Sequence, residues 1–492
     1  MAKYESTIGL EIHVALNTKS KMFCDSPNDH SEKHPNLNIC PVCTGHPGTL
    51  PNINKEAIKK LMMVGVALNC KIAELSKFDR KNYFYPDLPK GYQISQYDLP
   101  LCYDGWLEIG NKKIRVTRIH MEEDAGRLLH PIGAKYTLVD YNRAGAPLME
   151  LVTEPDLKTA DDVRKFAQEL QLILRYVGAS EANMEKGEMR VEVNISLSDK
   201  ENQLGTKVEV KNINSSNAAG RAVEYEIKRQ TELLEKGEKV IQETRGWDED
   251  RGITFSQRIK EGSADYRYFP EPDLPPMRFS REEAVNVRAS LPELPNQRRI
   301  RFKKEYKLPD SDIEVFTVNK SLGDFFEKVI SELREWDLLV HKNINKPSEE
   351  HTDRLIKLAA NYMITELQKL LGVYNNDMEG LKITPENFAE FVVRVHNGEV
   401  SSSGGQLLLA EMFETGSEPE DIIRAKDLEQ VSDEAIIELA ADGIIDKNPK
   451  AVEDYKKGKP EALKFLIGQL MRETKSKANP EIAGQILKKR LG

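Results

Sequence analysis

A dense run of prolines divides this chain into two parts that differ in their sequence periodicity. The run occupies Tyr268-Phe269-Pro270-Glu271-Pro272-Asp273-Leu274-Pro275-Pro276 and resumes at Leu291-Pro292-Glu293-Leu294-Pro295. Proline has no backbone donor and a fixed φ, so helices and strands rarely continue through such a segment. A chain of 492 residues is also longer than one average domain. We therefore predict a domain boundary near residue 290.

The part before the boundary shows the two-residue alternation of strands. Apolar residues fill every second position of two runs, at Ile8, Leu10, Ile12 and Val14, and at Val191, Val193, Ile195 and Leu197. This pattern is typical of strands with one buried face. Helical segments lie between the strands, at 55–68 and 160–176. The first domain, 1–290, is therefore predicted to mix strands and helices, which gives an α+β fold class.

The part after the boundary has the periodicity of helices. Thr384-Pro385 has the composition of a helix start, with the proline at the first helical position. Apolar residues then follow at helical spacing, namely Phe388, Phe391, Val392 and Val395. Ser401-Ser402-Ser403-Gly404-Gly405 has the composition of a flexible linker. We predict an all-α helical domain at 291–400 and an α-helical tail domain at 401–492.

Carboxylates within the strand patterns are the main candidates for chemistry. Glu11 and His13 are two apart on the first strand, so their side chains share one face at about 7 Å spacing and can bind one cation or two adjacent cations. For His13 alone, a structural role is the alternative. Glu150 interrupts the apolar run 148–152, where a charge is costly unless a metal or an arginine neutralises it. Oxygen ligands with one imidazole suit Mg²⁺ or Mn²⁺ better than a closed zinc site.

Further carboxylates occur in comparable places. They are Glu122, Glu123 and Asp124 after the strand-like run 114–121, and Glu192 and Glu209 on the polar faces of two later strands. Lysines and arginines adjoin Glu192 and Glu209 in the sequence. Ordinary ion pairs are therefore the simpler explanation for these two.

A nucleotide site in this chain would lack a glycine-rich phosphate loop, because the sequence contains neither G-x-x-x-x-G-K-[ST] nor G-x-G-x-x-G. A nucleotide would have to be held by metal ions on the carboxylates and by basic side chains. The segment 78–92 mixes cations with aromatic residues, which suits nucleotide or RNA, although a loop packed by its own aromatics is the alternative. The basic residues that we single out as phosphate or RNA contacts are Lys81, Lys90, Arg143 and Lys207.

The cysteines suggest a metal site rather than disulfides. Five cysteines in a chain of this length do not form a disulfide framework, and with no signal sequence and no apolar run long enough for a bilayer, the cytoplasm is the expected compartment. Cys40-Pro41-Val42-Cys43 has the spacing of half a zinc site, and Cys24 supplies a third thiol. Asp25, His30 or His34 would complete four ligands. Reduced thiols without a metal are the alternative.

The charge of the chain is unevenly distributed. A net charge of −9 argues against a dedicated nucleic-acid binder. Residues 411–450 balance at −8, with twelve acidic and four basic residues, whereas 451–492 balance at +5, with ten basic and five acidic residues. The basic terminal segment is either a local RNA contact or a solvated helix surface.

Several long strings, taken in order, resemble one known family. They are Ile8–His13 (I-G-L-E-I-H), Cys40–Gly48 (C-P-V-C-T-G-H-P-G), Phe78–Asp98, His120–Gly126 (H-M-E-E-D-A-G), Val139–Gly145 and Asp265–Asp273. Together they resemble the B subunits of the Glu-tRNA(Gln)/Asp-tRNA(Asn) amidotransferases. The resemblance is dense in the first domain and reaches the C-terminal domains through their layout.

The resemblance implies a fold, a reaction and a set of partners. The fold is a cradle domain like that of glutamine synthetase, built on a mixed or antiparallel sheet, followed by a helical domain and a small mobile tail domain. From the charge of its basic terminal segment, we expect the tail domain to bind tRNA. The reaction is the ATP-dependent phosphorylation of the side-chain carboxylate of mischarged Glu-tRNA(Gln) or Asp-tRNA(Asn), followed by amidation with ammonia. The ammonia is channelled from an A subunit with glutaminase activity, in a heterotrimer with a small C subunit.

The resemblance also implies roles for individual residues. The magnesium ligands that it implies are His13, Glu123 and Glu150 for one ion, and Glu11, Glu122 and Glu209 for a second. Glu192 corresponds to an acidic position near the mouth of the channel. Zinc-bearing members resemble C-x-C followed by C-x-x-C, and Ser26 replaces one of those thiols here.

Two other interpretations need separate consideration. The archaeal E subunit shares the cradle but carries an inserted domain, and this chain has no room for one, so we reject that interpretation. A non-catalytic adaptor that binds RNA or zinc would show neither ATP hydrolysis nor any dependence on the strand carboxylates.

Overall fold

The computed structural model describes residues 4–200, 203–259, 266–340, 349–374, 376–429, 434–474, 478 and 480–492. The chain forms two compact units, Met1–Pro295 and Asn296–Gly492. The division falls inside the proline-rich region from which the sequence predicts a boundary. The predicted α+β fold class is confirmed, since the first unit is built on a large sheet and the second is helical.

Within the described residues, the first unit contains all of the strands and four helices. The strands are β1 (Glu5–Ala15), β2 (Lys71–Ile72), β3 (Leu75–Ser76), β4 (Asp79–Asn82), β5 (Tyr92–Ser95), β6 (Cys102–Ile109), β7 (Lys112–Glu123), β8 (Arg127–Leu129), β9 (Leu138–Asp140), β10 (Pro147–Thr153), β11 (Met189–Ser198), β12 (Val208–Ile213), β13 (Glu243–Asp248), β14 (Ile253–Ile259), β15 (Arg267–Pro270) and β16 (Met277–Arg278). The helices are α1 (Lys55–Ala67), α2 (Ala160–Tyr176), α3 (Ser216–Glu235) and α4 (Arg281–Ala289).

The main sheet has nine strands in the order β14-β13-β12-β11-β1-β10-β7-β6-β2. Its neighbours are antiparallel except for β12 and β13, which are parallel. Strand β1 is central, between β10 and β11. A smaller sheet, β15-β4-β5, brings the chain after residue 265 beside the segment that begins at Asp79.

One face of the main sheet is covered and the other is polar. The alternating residues Ile8, Leu10, Ile12 and Val14 are fully buried in the core shared with α1, α2 and α3. The residues between them, including Glu11 and His13, lie on the opposite face. The two-residue alternation therefore fixes which side chains are available for chemistry.

The helices that cover the sheet begin at good capping residues. The Asn54 side chain accepts backbone hydrogen bonds at the start of α1, and Ser215 does so at the start of α3. Thr159 and Asp162 form a capping box at the start of α2. The helices predicted at 55–68 and 160–176 are confirmed.

The second unit consists of helices. They are α5 (Pro295–Tyr306), α6 (Asp310–Val318), α7 (Lys320–Val340), α8 (Glu349–Tyr362), a π-helical turn (Met363–Leu367), α9 (Gln368–Val373), a 3₁₀ turn (Met378–Gly380), α10 (Pro385–His396), α11 (Ser402–Thr415), α12 (Pro419–Lys426), α13 (Glu434–Lys447), α14 (Pro449–Lys456), α15 (Pro460–Glu473) and α16 (Pro480–Leu491). The predicted helix start at Thr384-Pro385 is confirmed by a side-chain cap from Thr384. None of the helices in the described ranges is long and apolar enough to cross a membrane.

The interpretation of 401–405 as a flexible linker is wrong. The Ser401 hydroxyl caps α11 by accepting from the Gly404 N–H, at 3.1 Å. Gly404 and Gly405 are buried, and a Cβ on Gly405 would lie only 2.8 Å from the Tyr362 hydroxyl oxygen. Serine and glycine serve here as a cap and a close packing contact rather than as a source of flexibility.

The second unit contains two hydrophobic clusters. The first runs from Phe302 to Ile423, with Leu428 packed against it, and the second runs from Ile437 to Leu491. The division into a helical domain and a tail domain stays a prediction, and these clusters favour a tail that begins after Leu428. Lys475 and Lys477, which belong to the basic terminal segment, lie outside the described residues.

Close packing of α1 on β6 generates a stability prediction. A Cβ on Gly65 would lie 2.9 Å from the Cβ of Cys102. Alanine stabilises a helix by about 1 kcal/mol relative to glycine. A loss of stability in Gly65→Ala would therefore come from this clash and not from helix propensity. We expect Gly65→Ala to lower the free energy of unfolding by about 1–3 kcal/mol in denaturant titrations.

The matched control is Gly468→Ala in α15, where no atom lies within 4 Å of the new Cβ. This change should raise stability by about 1 kcal/mol. A Gly65→Ala protein as stable as the parent would contradict the packing described here.

Candidate active site

Charged side chains form rows across the polar face of the main sheet. His13 on β1 lies opposite Arg190 on β11 and opposite Glu150 on β10, and Glu150 lies opposite His120 on β7. Residues directly opposite each other on antiparallel strands share a face and lie close together. Residues distant in the sequence thus meet in one row, Arg190–His13–Glu150–His120.

The carboxylates on this face form three overlapping groups. The groups are Glu11, His13 and Glu150; His120, Glu122 and Glu150; and Glu11, Glu192 and Glu209, and in each the donor atoms lie within 4.8 Å of one another. Carboxylate oxygens with an imidazole nitrogen suit Mg²⁺ or Mn²⁺. The residues present therefore fit the divalent ions that the sequence predicts.

Histidines connect the first two groups. The Nε2 atom of His13 lies 3.4 Å from Glu150 and 4.0 Å from Glu11. The Nε2 atom of His120 lies 3.3 Å from Glu122 and 3.5 Å from Glu150. Glu150 is thus shared by both histidines, and this explains how a charge is tolerated within an apolar run.

The neighbouring charges of the cluster shift the pKa values of its members. Burial raises the pKa of Glu11, and the nearby Glu150 and Glu192 carboxylates raise it further. Burial alone would lower the pKa of His13, but the hydrogen-bonded Glu150 carboxylate, with Glu122 nearby, raises it to about 9. The cluster therefore attracts cations.

Strand β5 holds Glu122 in place. The Ser95 hydroxyl and the Gln93 amide donate to its carboxylate at 2.7 and 3.0 Å. Burial would raise the pKa of Glu122, but the His120 hydrogen bond and the Lys81 ammonium lower it well below its usual range. Glu122 is therefore a fixed, ionised carboxylate.

Glu123 does not join the carboxylate cluster. It follows Glu122 directly on β7, so its side chain points to the other side of the strand. There it accepts from the Ile94 N–H at 2.8 Å and from Lys90 at 2.5 Å. Together with Cys43, it lines a separate cavity of about 100 Å³.

The two predicted magnesium sets stay predictions, and the structure brings only part of each set together. Glu123 is absent from the first, because consecutive strand residues face opposite ways. In the second, Glu11 and Glu209 meet Glu192, whereas Glu122 meets His120 and Glu150. His120 is a site residue that the carboxylate search missed, and its position two residues before Glu122 is the signal that identifies it.

An open cavity of about 880 Å³ lies over the carboxylate cluster. Of the predicted basic contacts, Lys81 and Lys207 line it. Lys90 instead pairs with Glu123, and Arg143 contacts Asp124 and the carbonyl oxygens of Ala125 and Gly126. Two cations that were not predicted also line the cavity, Arg190 and Lys211.

The segment 78–92 is partly a strand rather than one irregular loop. Its β4 residues pair with β5 and β15. The Tyr83 and Tyr266 rings lie 5.5 Å apart at the cavity, and the Lys81 ammonium lies 5.1 Å from the Tyr266 ring. Phe84 is 92% exposed, so the aromatics of this segment do not all pack on one another.

The three predicted thiols do meet. The sulfurs of Cys24, Cys40 and Cys43 lie within 4.8 Å of one another. Ser26 lies 3.9 Å from the Cys43 sulfur, and the fully buried Lys21 ammonium lies 3.7 Å from it.

The surroundings of Cys43 do not complete a closed zinc site. A hydrogen bond from Cys24, helped by the Cys40 N–H and the Lys21 ammonium, lowers the pKa of Cys43 to about 4. Three thiols fit three of the four usual ligands, but the remaining neighbours are a hydroxyl and a cation. Asp25, His30 and His34 are not part of this group among the described residues. No chemical step is assigned to it.

Comparisons with known proteins identify the family of this chain. Residues 6–285 match the family described as the GatB/GatE catalytic domain, and residues 345–491 match the GatB domain. The chain is 46% identical to the B subunit of the aspartyl/glutamyl-tRNA(Asn/Gln) amidotransferase from Caldicellulosiruptor saccharolyticus, over 99% of both chains. The corresponding proteins of Thermotoga maritima and Carboxydothermus hydrogenoformans are 46% and 45% identical, over 99% and 100% of this chain and 99% of each relative.

The regrouped carboxylates generate a prediction for metal binding. Glu150→Gln and Glu122→Gln should each weaken Mn²⁺ binding by about tenfold or more, since each removes a charged donor from the cluster. Glu123→Gln should leave the affinity within about twofold, because its side chain lies across the strand. Electron paramagnetic resonance titrations with Mn²⁺ would measure all three variants. If Glu123→Gln weakens Mn²⁺ binding as much as the other two variants, the result would support the predicted set of His13, Glu123 and Glu150.

Proposed function

This chain belongs to the family of aspartyl/glutamyl-tRNA(Asn/Gln) amidotransferase B subunits, and from that premise we propose that the carboxylate cavity is where the amino acid of a mischarged tRNA is activated and amidated. The family converts Glu-tRNA(Gln) and Asp-tRNA(Asn) to Gln-tRNA(Gln) and Asn-tRNA(Asn) as part of a glutamine-hydrolysing ligase. The observation that carries the proposal is the shared Glu150, which joins two groups of metal donors under one large cavity.

The reaction has two steps with defined bond changes. A side-chain carboxylate oxygen attacks the γ-phosphorus of ATP, the bond from that phosphorus to the bridging oxygen breaks, and ADP leaves. The product is an acyl phosphate. The lone pair of ammonia then attacks the acyl carbon, the bond to phosphate breaks, inorganic phosphate leaves, and a proton is lost to give the amide. Mg²⁺, when bound, neutralises phosphate oxygens during such transfers.

The chain's own residues prepare this chemistry. Ser95 and Gln93 fix Glu122, and His13 and His120 fix Glu150, so the donors keep their positions as charge moves. Lys81 and Lys207 line the same cavity and supply positive charge for phosphate or RNA. An acyl phosphate is sensitive to water, so its capture by ammonia requires that bound substrates keep water out of the cavity.

The proposed partners follow from the family. Relatives that are named as B subunits imply a complex, for which we propose a glutaminase A subunit and a small C subunit, with mischarged tRNA as the substrate. The chain would act in the cytoplasm. Ammonia would arrive from the A subunit, and Glu192, which lies between Glu11 and the Lys211 ammonium, is a candidate for its approach.

The activation step can be tested at Glu150. In the assembled enzyme, Glu150→Gln should lower ATP-dependent amidation of mischarged tRNA by about a hundredfold or more, because both donor groups lose a charge. Glu108→Gln, an exposed glutamate on β6, is the matched control and should amidate at the parent rate. The readout is the yield of amidated aminoacyl-tRNA per unit time.

Two further measurements separate this proposal from a non-catalytic adaptor. The assay is repeated with ammonium chloride, which removes any dependence on the glutaminase, and the isolated chain is assayed for ammonia release from glutamine, where none is expected. A folded Glu150→Gln enzyme that amidates like the parent would overturn the proposed site. Glutaminase activity of the pure chain would overturn the division of labour.

The basic terminal segment generates a prediction for tRNA binding. Lys488 and Lys489 are exposed in the last turn of α16. If they contact phosphates, replacing both by alanine should weaken tRNA binding and reduce the slope of log affinity against log salt by about 2. Filter binding at several salt concentrations, with the assembled enzyme, would measure the slope.

A matched pair exists in the same unit. Lys303 and Lys304 are also consecutive, exposed and in the last turn of a helix, α5. Replacing them should not change the slope. A truncation after Glu429 removes the second hydrophobic cluster. It should weaken tRNA binding more than the replacement of Lys488 and Lys489 does. Unchanged affinity in both the α16 variant and the truncated enzyme would mean that this segment is a solvated surface.

A further inference from the structure

Arg190 is a cavity residue that the chemistry above leaves unused. It lies on β11 opposite His13, at one end of the row that continues through Glu150. It lines the carboxylate cavity, with 39% of its side-chain surface exposed. An arginine at the end of this row of candidate metal ligands can bind an anion that a metal ion in the row would also bind.

The ion pair of Arg190 does not neutralise its charge. Its Nη2 atom donates to both carboxylate oxygens of Asp124, each at 3.1 Å. The same carboxylate is already 3.1 Å from the Nε atom of Arg143. One carboxylate thus faces two guanidinium groups, so this group of three residues keeps a net positive charge.

One donor of Arg190 also lacks an acceptor. Its Nε atom is buried and has no hydrogen-bond partner among the residues that the structure describes. Buried donors in native proteins are nearly always paired, because leaving one unpaired is unfavourable. The guanidinium group therefore keeps hydrogen-bonding capacity that its protein neighbours do not use.

Two other cations of the cavity, Lys211 and Lys81, have their own carboxylate partners. Lys211 contacts Glu192 at 2.8 Å and Glu209 at 3.3 Å. Lys81 lies 3.9 Å from Glu122 and close to an aromatic ring. Arg190 differs because its carboxylate partner is shared with another arginine.

We propose that Arg190 binds the oxyanion of the reacting group, either the side-chain carboxylate of the mischarged amino acid or the terminal phosphoryl group of ATP. The planar guanidinium fork matches both anions, which a lysine ammonium does not. Asp124 is then a positioning residue that turns the fork toward the cavity. The inference rests on the proposed function, since it takes this cavity as the place of activation.

The test uses the assembled enzyme with ammonium chloride as the nitrogen donor. Arg190→Met should lower kcat/KM for amidation by about 10- to 100-fold, the equivalent of one lost charge-assisted hydrogen bond. Arg190→Lys keeps the charge and should fall between Arg190→Met and the parent. Thermal unfolding of each variant, compared with the parent, shows whether it is folded.

The matched control is Arg115→Met. Like Arg190, Arg115 lies on a strand and donates hydrogen bonds to one aspartate. Its Nε and Nη2 atoms bond Asp156, and the side chain is exposed and lies outside the cavity. It should react like the parent. This comparison separates loss of an anion contact from loss of a surface ion pair on the same sheet.

The kinetic constants identify the anion. A raised KM for mischarged tRNA with an unchanged KM for ATP would assign the carboxylate, and the reverse would assign the phosphoryl group. Either outcome supports the proposal. Folded Arg190→Met and Arg190→Lys enzymes that match Arg115→Met in both constants would overturn it. If the Arg190 variants and Glu150→Gln are all fully active, the proposed function itself fails. If the Arg190 variants are fully active and Glu150→Gln is inactive, the proposed function stands and only the role of Arg190 is overturned.

Discussion

Repulsion among buried carboxylates is the constraint around which the first unit is organised. Glu11, Glu122 and Glu150 project from three different strands into one region, and ionised groups this close destabilise one another unless cations intervene. His13 and His120 partly offset that repulsion, as does the Lys81 ammonium. The remaining negative charge is what a divalent ion would neutralise. Stability and function therefore conflict at this face, as is common where charges are gathered for chemistry.

The covered face of the sheet makes the conflict tolerable. The same strands that present the carboxylates bury Ile8, Ile12 and Met149 against the helices on the other side. Apolar burial of this extent stabilises the sheet independently of the charges. Charged residues can therefore accumulate on one face without unfolding the unit, and the alternation of the strands keeps the two roles apart.

The sequence predicts the main helices and strands and most residues of the candidate site, but it does not predict which of those residues lie together. Alternation in β1 identified both the core face and the pair Glu11 and His13, because a period of two is a local property. The partners of Glu122 and Glu123 depend on which strands become neighbours in the sheet. Local sequence patterns carry no information about strand order. Strand geometry shows that these two side chains point apart, whereas the family resemblance implies that both bind metal, so only a binding measurement decides the role of Glu123. Ser401–Gly405 was misjudged for a similar reason, since capping and close packing depend on what lies nearby.

The central place of β1 in the sheet has a consequence for how the chain is made. Glu5 pairs with Ser198 and Glu11 with both Val152 and Glu192, so this strand leaves the ribosome long before its partners are made. At a synthesis rate of about 5–20 residues per second, the wait is roughly 10–40 s. During that time an apolar strand with unpaired edges is exposed, which is a hazard for aggregation. The cavity over the carboxylate cluster, which needs β1, β10 and β11 together, is therefore among the last features of the first unit to assemble.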